Sequence, residues 1–398
     1  MKIAAILDTN ITSGGGFNQA LSATLQMARL CSERYEFMVR TSIKENVDYL
    51  RRLGIASKYY KTNIVDKWIS YAATSRLGRH LQNKFRRIGE LERSLISDGV
   101  DLVYFVTPTT RCLSLQQLNY ISTVWDLSHR DVPEFPEVRK YNGFLERDHK
   151  YYNTLAQSLL VLCDSDDLAE RIAFSYGVSK ARLLAMPFSP SPFFEGSNVS
   201  SKDVVMAKYD LNDSYYFYPA QFWAHKNHVR IIQALGLLKR KGVNRNVVFC
   251  GGDQGNLEHV KTFVAKAGLE KEVHFLGFVP ADDIRGLYEG CLAVVMPSYF
   301  GPTNLPPLEA WKLGKPLIYS AYFAEQTGDA ALLVDPNSAS ELAEAMLSVL
   351  DDTIAQRLIE NGKSRLMEIE KQRSAAEKKV QDRLDTFSKM LECWKATP

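Results

Sequence analysis

What this 398-residue sequence lacks narrows it first. No window approaches the ~18 consecutive apolar residues of a membrane-crossing helix, which excludes a helical membrane-spanning protein. The opening MKIAAILDTNITSGGG has no long apolar core of the secretory kind, only the strand-sized run KIAAIL, so a cytoplasmic address is expected. The six cysteines, Cys31, Cys112, Cys163, Cys250, Cys291 and Cys393, form no CxxC pair, and several sit in apolar runs such as LLVLC and VVFCGG. They read as buried thiols of a reducing compartment and exclude a disulfide or zinc framework. Neither sign of charge dominates, and a net charge of +3 is too small for a nucleic-acid binder. There is no low-complexity tract, no short-period repeat and no spaced GxGxxG.

What is present is ordinary globular composition, 45% hydrophobic and 24% charged, on a chain too long for one core. Short apolar runs recur in both halves: KIAAIL, DLVYFV, STVWDL and SLLVLC, then YYFYPA, NVVFCGG, EVHFLGFV, LAVVMPS, PLIYS and ALLVD. Stretches with helical spacing, such as NQALSATLQMARL and VRIIQALGLLKR, separate them. Near-continuous apolar strands alternating with helices mean parallel sheets covered on both faces, so two doubly wound α/β domains are predicted. The Pro- and Ser-rich MPFSPSPFFEGSNVSSKD, residues 186 to 203, suits a linker. The predicted domains are residues 1–190 and 191–375, with a charged helix over 376–398 crossing back to the first. Between Arg40 and Arg93 basic residues outnumber acidic ones roughly two to one, with KFRR at 84 to 87 and Tyr59, Tyr60 and Trp68 among them. That segment is either a solvated face or a surface for acidic lipid headgroups.

The stretch SYFGPTNLPPLEAWKLGKP, from Ser298 to Pro316, carries the most chemistry. LAVVMPS reads as a strand, FGPTN as a loop and the prolines as helix starters, because the N–H they lack has no partner in the first helical turn. Gly314 before Lys315-Pro316 ends the helix. Ligands of open parallel sheets bind beyond the carboxyl ends of strands, and the N–H groups of Thr303, Asn304 and Leu305 are expected at such an end, suited to an anion. Glu309 is expected in the first turn. In the second domain, YYFYPAQFWAHKNH places Lys226 at a helix start, where an ammonium is misplaced unless an anion lies nearby. His225 and His228 flank it without a carboxylate or thiol close in sequence, which points away from zinc.

VVMPSYFGPTNLPPLEAWKLGKPLI resembles the donor-binding element of the retaining glycosyltransferases of family 4, of bacterial surface-polysaccharide type. The similarity is strongest from Tyr215 to Pro336. It implies the GT-B fold, two Rossmann-like domains facing a central cleft, with residues 1–190 on the acceptor side and 191–375 holding a nucleotide-sugar donor. By the resemblance Glu309 accepts hydrogen bonds from the donor ribose, and Lys226 with Asn227 grips the diphosphate. Gln221 stands where the family has an arginine, and Gly301 where it has a second glutamate, leaving Thr303 and Asn304 as the nearest sugar contacts. Gly251, Gly277, Phe278 and Val279, in FCGGDQGN and HFLGFVPADDI, match loops that line the nucleotide. Gly15 and Gly16, in the glycine run after the first strand, match a loop that meets the donor phosphate.

At the reacting end, STVWDLSHRDVPEFPE has Trp125-Asp126-Leu127 in place of the family's His-Asp-Leu, with His129 three residues on. Asp126 and His129 are therefore the candidates for holding the donor sugar or acceptor, beside the plainer readings of a loop cap and a packed histidine. No Asp-x-Asp stands at a strand end in a credible site, since DSDD at 164 to 167 reads as a helix cap, so no metal and no cofactor is expected. The implied activity moves a hexose, of mannose or rhamnose type and GDP-linked rather than UDP-linked, to a glycan or polyprenyl-linked acceptor, with possible peripheral contact at the inner membrane face. A nucleotide-sugar binding protein without transferase activity and a GT-B epimerase are the alternatives.

Overall fold

The computed structural model describes residues 1–10, 15–75, 77–78, 80, 88–190, 200–212, 214–301 and 304–394. Two compact units emerge. The first comprises Met1–Asp131, Asn142–Phe188 and Lys371–Pro398, and the second Val132–Tyr141 with Ser189–Glu370.

The first unit holds a parallel sheet of seven strands: β1 (Lys2–Ile6), β2 (Glu36–Thr41), β3 (Ser57–Tyr59), β4 (Leu102–Phe105), β5 (Asn119–Thr123), β6 (Leu160–Cys163) and β7 (Leu183–Ala185). Their order is β3-β2-β1-β4-β5-β6-β7. LVYF of β4 and LVLC of β6 are buried at every position, as strands covered on both faces must be. The second unit repeats the plan with β8 (Tyr215–Pro219), β9 (Asn246–Cys250), β10 (Val273–Phe275), β11 (Cys291–Met296), β12 (Leu317–Ser320) and β13 (Leu332–Val334), ordered β10-β9-β8-β11-β12-β13. Counted from its own first strand, the second sheet runs 3-2-1-4-5-6, and the first runs the same with a seventh strand added at the end. The order therefore reverses between β1 and β4 in one and between β8 and β11 in the other, the crevice where such sheets take ligands.

Several sequence expectations are adjusted here. The chain leaves the first unit at Phe188, within the expected linker, whose residues 191–199 lie outside the described residues, as do Lys84 to Arg87. Residues 132–141 pack with the second unit, although they lie deep inside the stretch assigned to the first. The helix Asp352–Leu391 is 40 residues long and passes from the second unit to the first at Lys371. In the first unit it buries Val380, Leu384 and Phe387, and Gln26 Nε2 donates to Glu377 Oε1 at 2.8 Å. Arg40 is buried and paired with Asp98, and Tyr60 is also inside, so part of the basic, aromatic segment is core rather than surface. All six cysteines are free; five are buried and Cys393 is exposed. Among the described residues no helix is long and apolar enough to cross a membrane.

Candidate functional site

In the second unit, the loops after β8 and β11 flank the point where strand order reverses. The chain leaves β8 through Ala220–Trp223 into a short 3-10 turn, Ala224–Lys226, and Asn227 takes a left-handed conformation (φ 58°) before the helix His228–Arg240. Asparagine tolerates that conformation better than most residues. Its side-chain amide donates to the carbonyls of Pro297 (3.0 Å) and Pro336 (2.8 Å), stapling this loop to the one after β11. The buried Tyr218 hydroxyl adds a second tie, donating to Lys226 O at 2.9 Å and lying 2.8 Å from Ser298 Oγ. His228 is wholly buried, stacked on Phe222, and burial pushes its pKa down to about 3. Gln221 is half-buried and accepts from Trp223 Nε1 at 3.2 Å.

This bracing brings Lys226 Nζ to 3.0 Å from Asn304 Oδ1. Asn304 sits in a closed ring of neutral hydrogen bonds. Its amide donates to Gly301 O and to Tyr319 Oη (2.7 Å), Tyr319 donates to Gln326 Oε1 (3.0 Å), and Gln326 Nε2 donates back to Asn304 O (3.2 Å). Neither Tyr319 nor Gln326 was visible as a site residue in the sequence, since nothing local marks them. Gly301 is glycine for a conformational reason, with φ 101° and the Asn304 side chain close by. Thr303 lies outside the described residues.

The helix Leu305–Lys312 begins as expected, with Leu305 buried and the prolines in its first turn. Glu309, however, falls in the second turn rather than the first. It is 6% exposed, and its Oε2 accepts from the buried Tyr288 hydroxyl at 2.6 Å. Burial raises its pKa to about 7, against which the single Tyr288 bond works only in part. A carboxylate held this way has unspent acceptor capacity for hydroxyl donors. Nearby, Gly251 N donates to Gly277 O at 2.8 Å, Val279 is buried and Phe278 is 55% exposed. A Cβ on Gly251 (φ 152°) would lie 2.6 Å from the Ala220 carbonyl carbon and 2.7 Å from Gln221 N. Only glycine lets these two strand ends approach.

The first unit treats its candidates differently. Asp126 accepts from Ser128 N (2.8 Å) and pairs with Arg147 (3.1 Å), which holds its carboxyl below the usual range despite burial. His129 is fully buried against Phe144 and Tyr151, with Nε2 at 3.1 Å from Tyr176 Oη, and burial lowers its pKa to about 4. This packing agrees with the plainer reading of each, a loop cap and a packed histidine. Asp126 is a loop cap and ion-pair partner, and His129 is a neutral packed ring. Gly15 and Gly16 open the helix Gly15–Cys31 with nothing within 4 Å of a Cβ built on either. The sequence reading missed Asp8, two residues after β1. It accepts from Ser42 N (2.7 Å) and Ser42 Oγ (2.8 Å) and bonds the Tyr60 hydroxyl and Arg111.

Two doubly wound parallel sheets with this shared order, in one chain, are the GT-B fold. Residues 203–365 match the family model described as glycosyl transferases group 1. Over 236 residues the chain is 26% identical to the O-antigen chain mannosyltransferase B of Escherichia coli, covering 58% of this chain and 61% of that one. The chain thus spans about three fifths of that relative's length. The sucrose-phosphate synthase of Thermosynechococcus elongatus superposes with a TM-score of 0.71 at 16% identity, covering 98% of this chain and 99% of that one. HepE of Anabaena, solved with UDP-glucose, gives 0.69 at 15%, covering 96% and 100%.

Proposed function

We propose that the protein is a retaining glycosyltransferase that moves a hexose from a nucleoside diphosphate sugar to a glycan or polyprenyl-linked acceptor in polysaccharide biosynthesis. The observation that carries this reading is the placement of Lys226, in the turn after β8, and Glu309, in the helix after β11, on the two segments that follow the strands at the reversal point of the second sheet. An ammonium beside a helix start suits the diphosphate, and a buried carboxylate with unused acceptor sites suits the ribose hydroxyls. The leaving phosphate oxygen takes the acceptor's proton while the sugar passes through an oxocarbenium-like state, so the chain's task is to hold and stabilise the departing diphosphate. Lys226 supplies that charge without a resident metal. Mannose or rhamnose on GDP is the favoured donor, a choice supported by the mannosyltransferase relative. A peripheral stay at the inner membrane face would bring the enzyme to a lipid-linked acceptor.

The test is to incubate the chain with GDP-mannose, GDP-rhamnose and UDP-glucose plus a polyprenyl-linked glycan, with and without EDTA. Released GDP with a new α-linked sugar, its anomeric configuration read by NMR, is the expected result. Release of nucleotide from none of them, despite binding, would leave a binding protein; a changed sugar still on its nucleotide would mark an epimerase.

A further inference from the structure

The strap 132–141 belongs to the second unit, although the chain on either side of it, at Asp131 and Asn142, belongs to the first. Its contacts are specific. Val138 is 3% exposed, and the Phe135 ring lies 5.3 Å from that of Tyr299 and 5.5 Å from that of Phe300, both on the loop after β11. Glu137 reaches the other loop. Its Oε1 accepts from the backbone N–H of His225 at 3.0 Å and also pairs with His225 Nδ1. The His225 ring is stacked flat on Phe300, centroids 3.6 Å apart at 16°, and His225 O accepts from Tyr299 N at 2.9 Å. The carboxylate and the ring are both about nine-tenths buried. Burial alone would push the Glu137 carboxyl up, yet the bonds from His225 leave it below the usual range.

His225 is the middle residue of the turn Ala224–Lys226, so an anchor on both its backbone and its ring fixes the main chain from which the Lys226 ammonium departs. We propose that Glu137 is a positioning residue for the donor diphosphate: from the strap it holds the His225 turn and the Phe300 loop in register, and so presents Lys226 to the anion. Glu137 touches no phosphate itself. The inference rests on the reading that Lys226 binds the donor diphosphate.

The experiment is calorimetric titration of GDP and UDP into the full chain and into Glu137→Ala, Glu137→Gln, Lys226→Ala and the Glu137→Ala/Lys226→Ala double variant, each checked for cooperative melting. Glu137→Ala is expected to weaken the better-binding diphosphate about tenfold, and Glu137→Gln, which keeps size and acceptor oxygen, by no more than about threefold. With Lys226 already removed, the further loss from Glu137→Ala should shrink to under about threefold, because the two act as one unit. Phe135→Leu keeps the carboxylate but loosens its seat; should Glu137→Ala not fold, this variant carries the test, with an expected loss of about threefold. An unchanged affinity in the strap variants, or a full loss that persists on top of Lys226→Ala, would overturn the proposal, since the strap would then serve only general stability. If Lys226→Ala itself leaves affinity unchanged, the donor-site reading falls first and takes this role with it.

Discussion

The two sheets share a strand order and differ in what stands at the reversal point. In the first unit the segments after β1 and β4 meet in an ion-paired cluster: Asp8 is met by Arg111, the Tyr60 hydroxyl and Ser42, and Arg111 Nη1 also donates to Tyr60 Oη at 2.5 Å. In the second, between β8 and β11, Lys226 donates to the neutral Asn304 amide and Glu309 accepts from a phenol. One arrangement joins a carboxylate to a guanidinium directly; in the other the ammonium meets an amide and the carboxylate meets a phenol. Topology sets where a ligand site can form; partner choice in the loops decides whether its charges remain available to an anion.

The sharpest way to break the comparison is through the glycines. Gly251→Ala should cost about 3 to 5 kcal/mol, because the new methyl meets the Ala220–Gln221 backbone at a conformation closed to alanine. Gly16→Ala, with open space and no positive φ, should leave stability within about 1 kcal/mol. Urea melts of both variants, followed by circular dichroism, give the two numbers.

A second test contrasts the cations. Lys226→Ala should weaken donor binding by about 1.5 to 3 kcal/mol with little change in melting temperature. Arg111→Ala should do the reverse, costing about 1 to 2 kcal/mol of stability through the stranded Asp8 while donor affinity holds. Equal loss of binding in both would mean that the first unit's cluster also serves the donor.

The smallest and most diagnostic effect belongs to Glu309. Its folded pKa, about 7, lies above that of a free carboxyl. Its contribution to stability is therefore full at low pH and is lost as pH rises through about 7. Glu309→Gln should remove that loss and stabilise the chain by about 1 to 3 kcal/mol near pH 8 while weakening ribose recognition. In the parent chain, ribose donors favour the ionised form, so affinity for the intact sugar nucleotide should rise with pH and level off above about 7. A flat profile from about pH 6 to 8 would remove the carboxylate from the ribose contact.

Most of the fold was legible because period and burial agree. Ten apolar runs marked ten of the strands, and the Pro-Pro-Leu-Glu helix began where its prolines said. The strands β2, β3 and β7 escaped notice because EFMVRT, SKY and LLA are short or carry a buried cation, Arg40, whose partner Asp98 lies far along the chain. In the candidate site, Lys226 and Glu309 were singled out, the first because an ammonium is misplaced at a helix start unless an anion lies nearby, the second because the stretch around it resembles a known donor-binding element. Tyr288, Tyr319, Gln326 and Glu137 were not, since each acts through a residue distant in sequence. The partners of Asp126 and His129 were hidden for the same reason: Arg147 and Tyr176 are supplied by other helices.

The long terminal helix has a consequence for synthesis. Residues 371–394, which complete the first unit, leave the ribosome only after the whole of the second unit has emerged. The half of the protein translated first must therefore wait with its docking surface for Val380, Leu384 and Phe387 uncovered, open to chaperones or to the wrong partner, until the later half has been made.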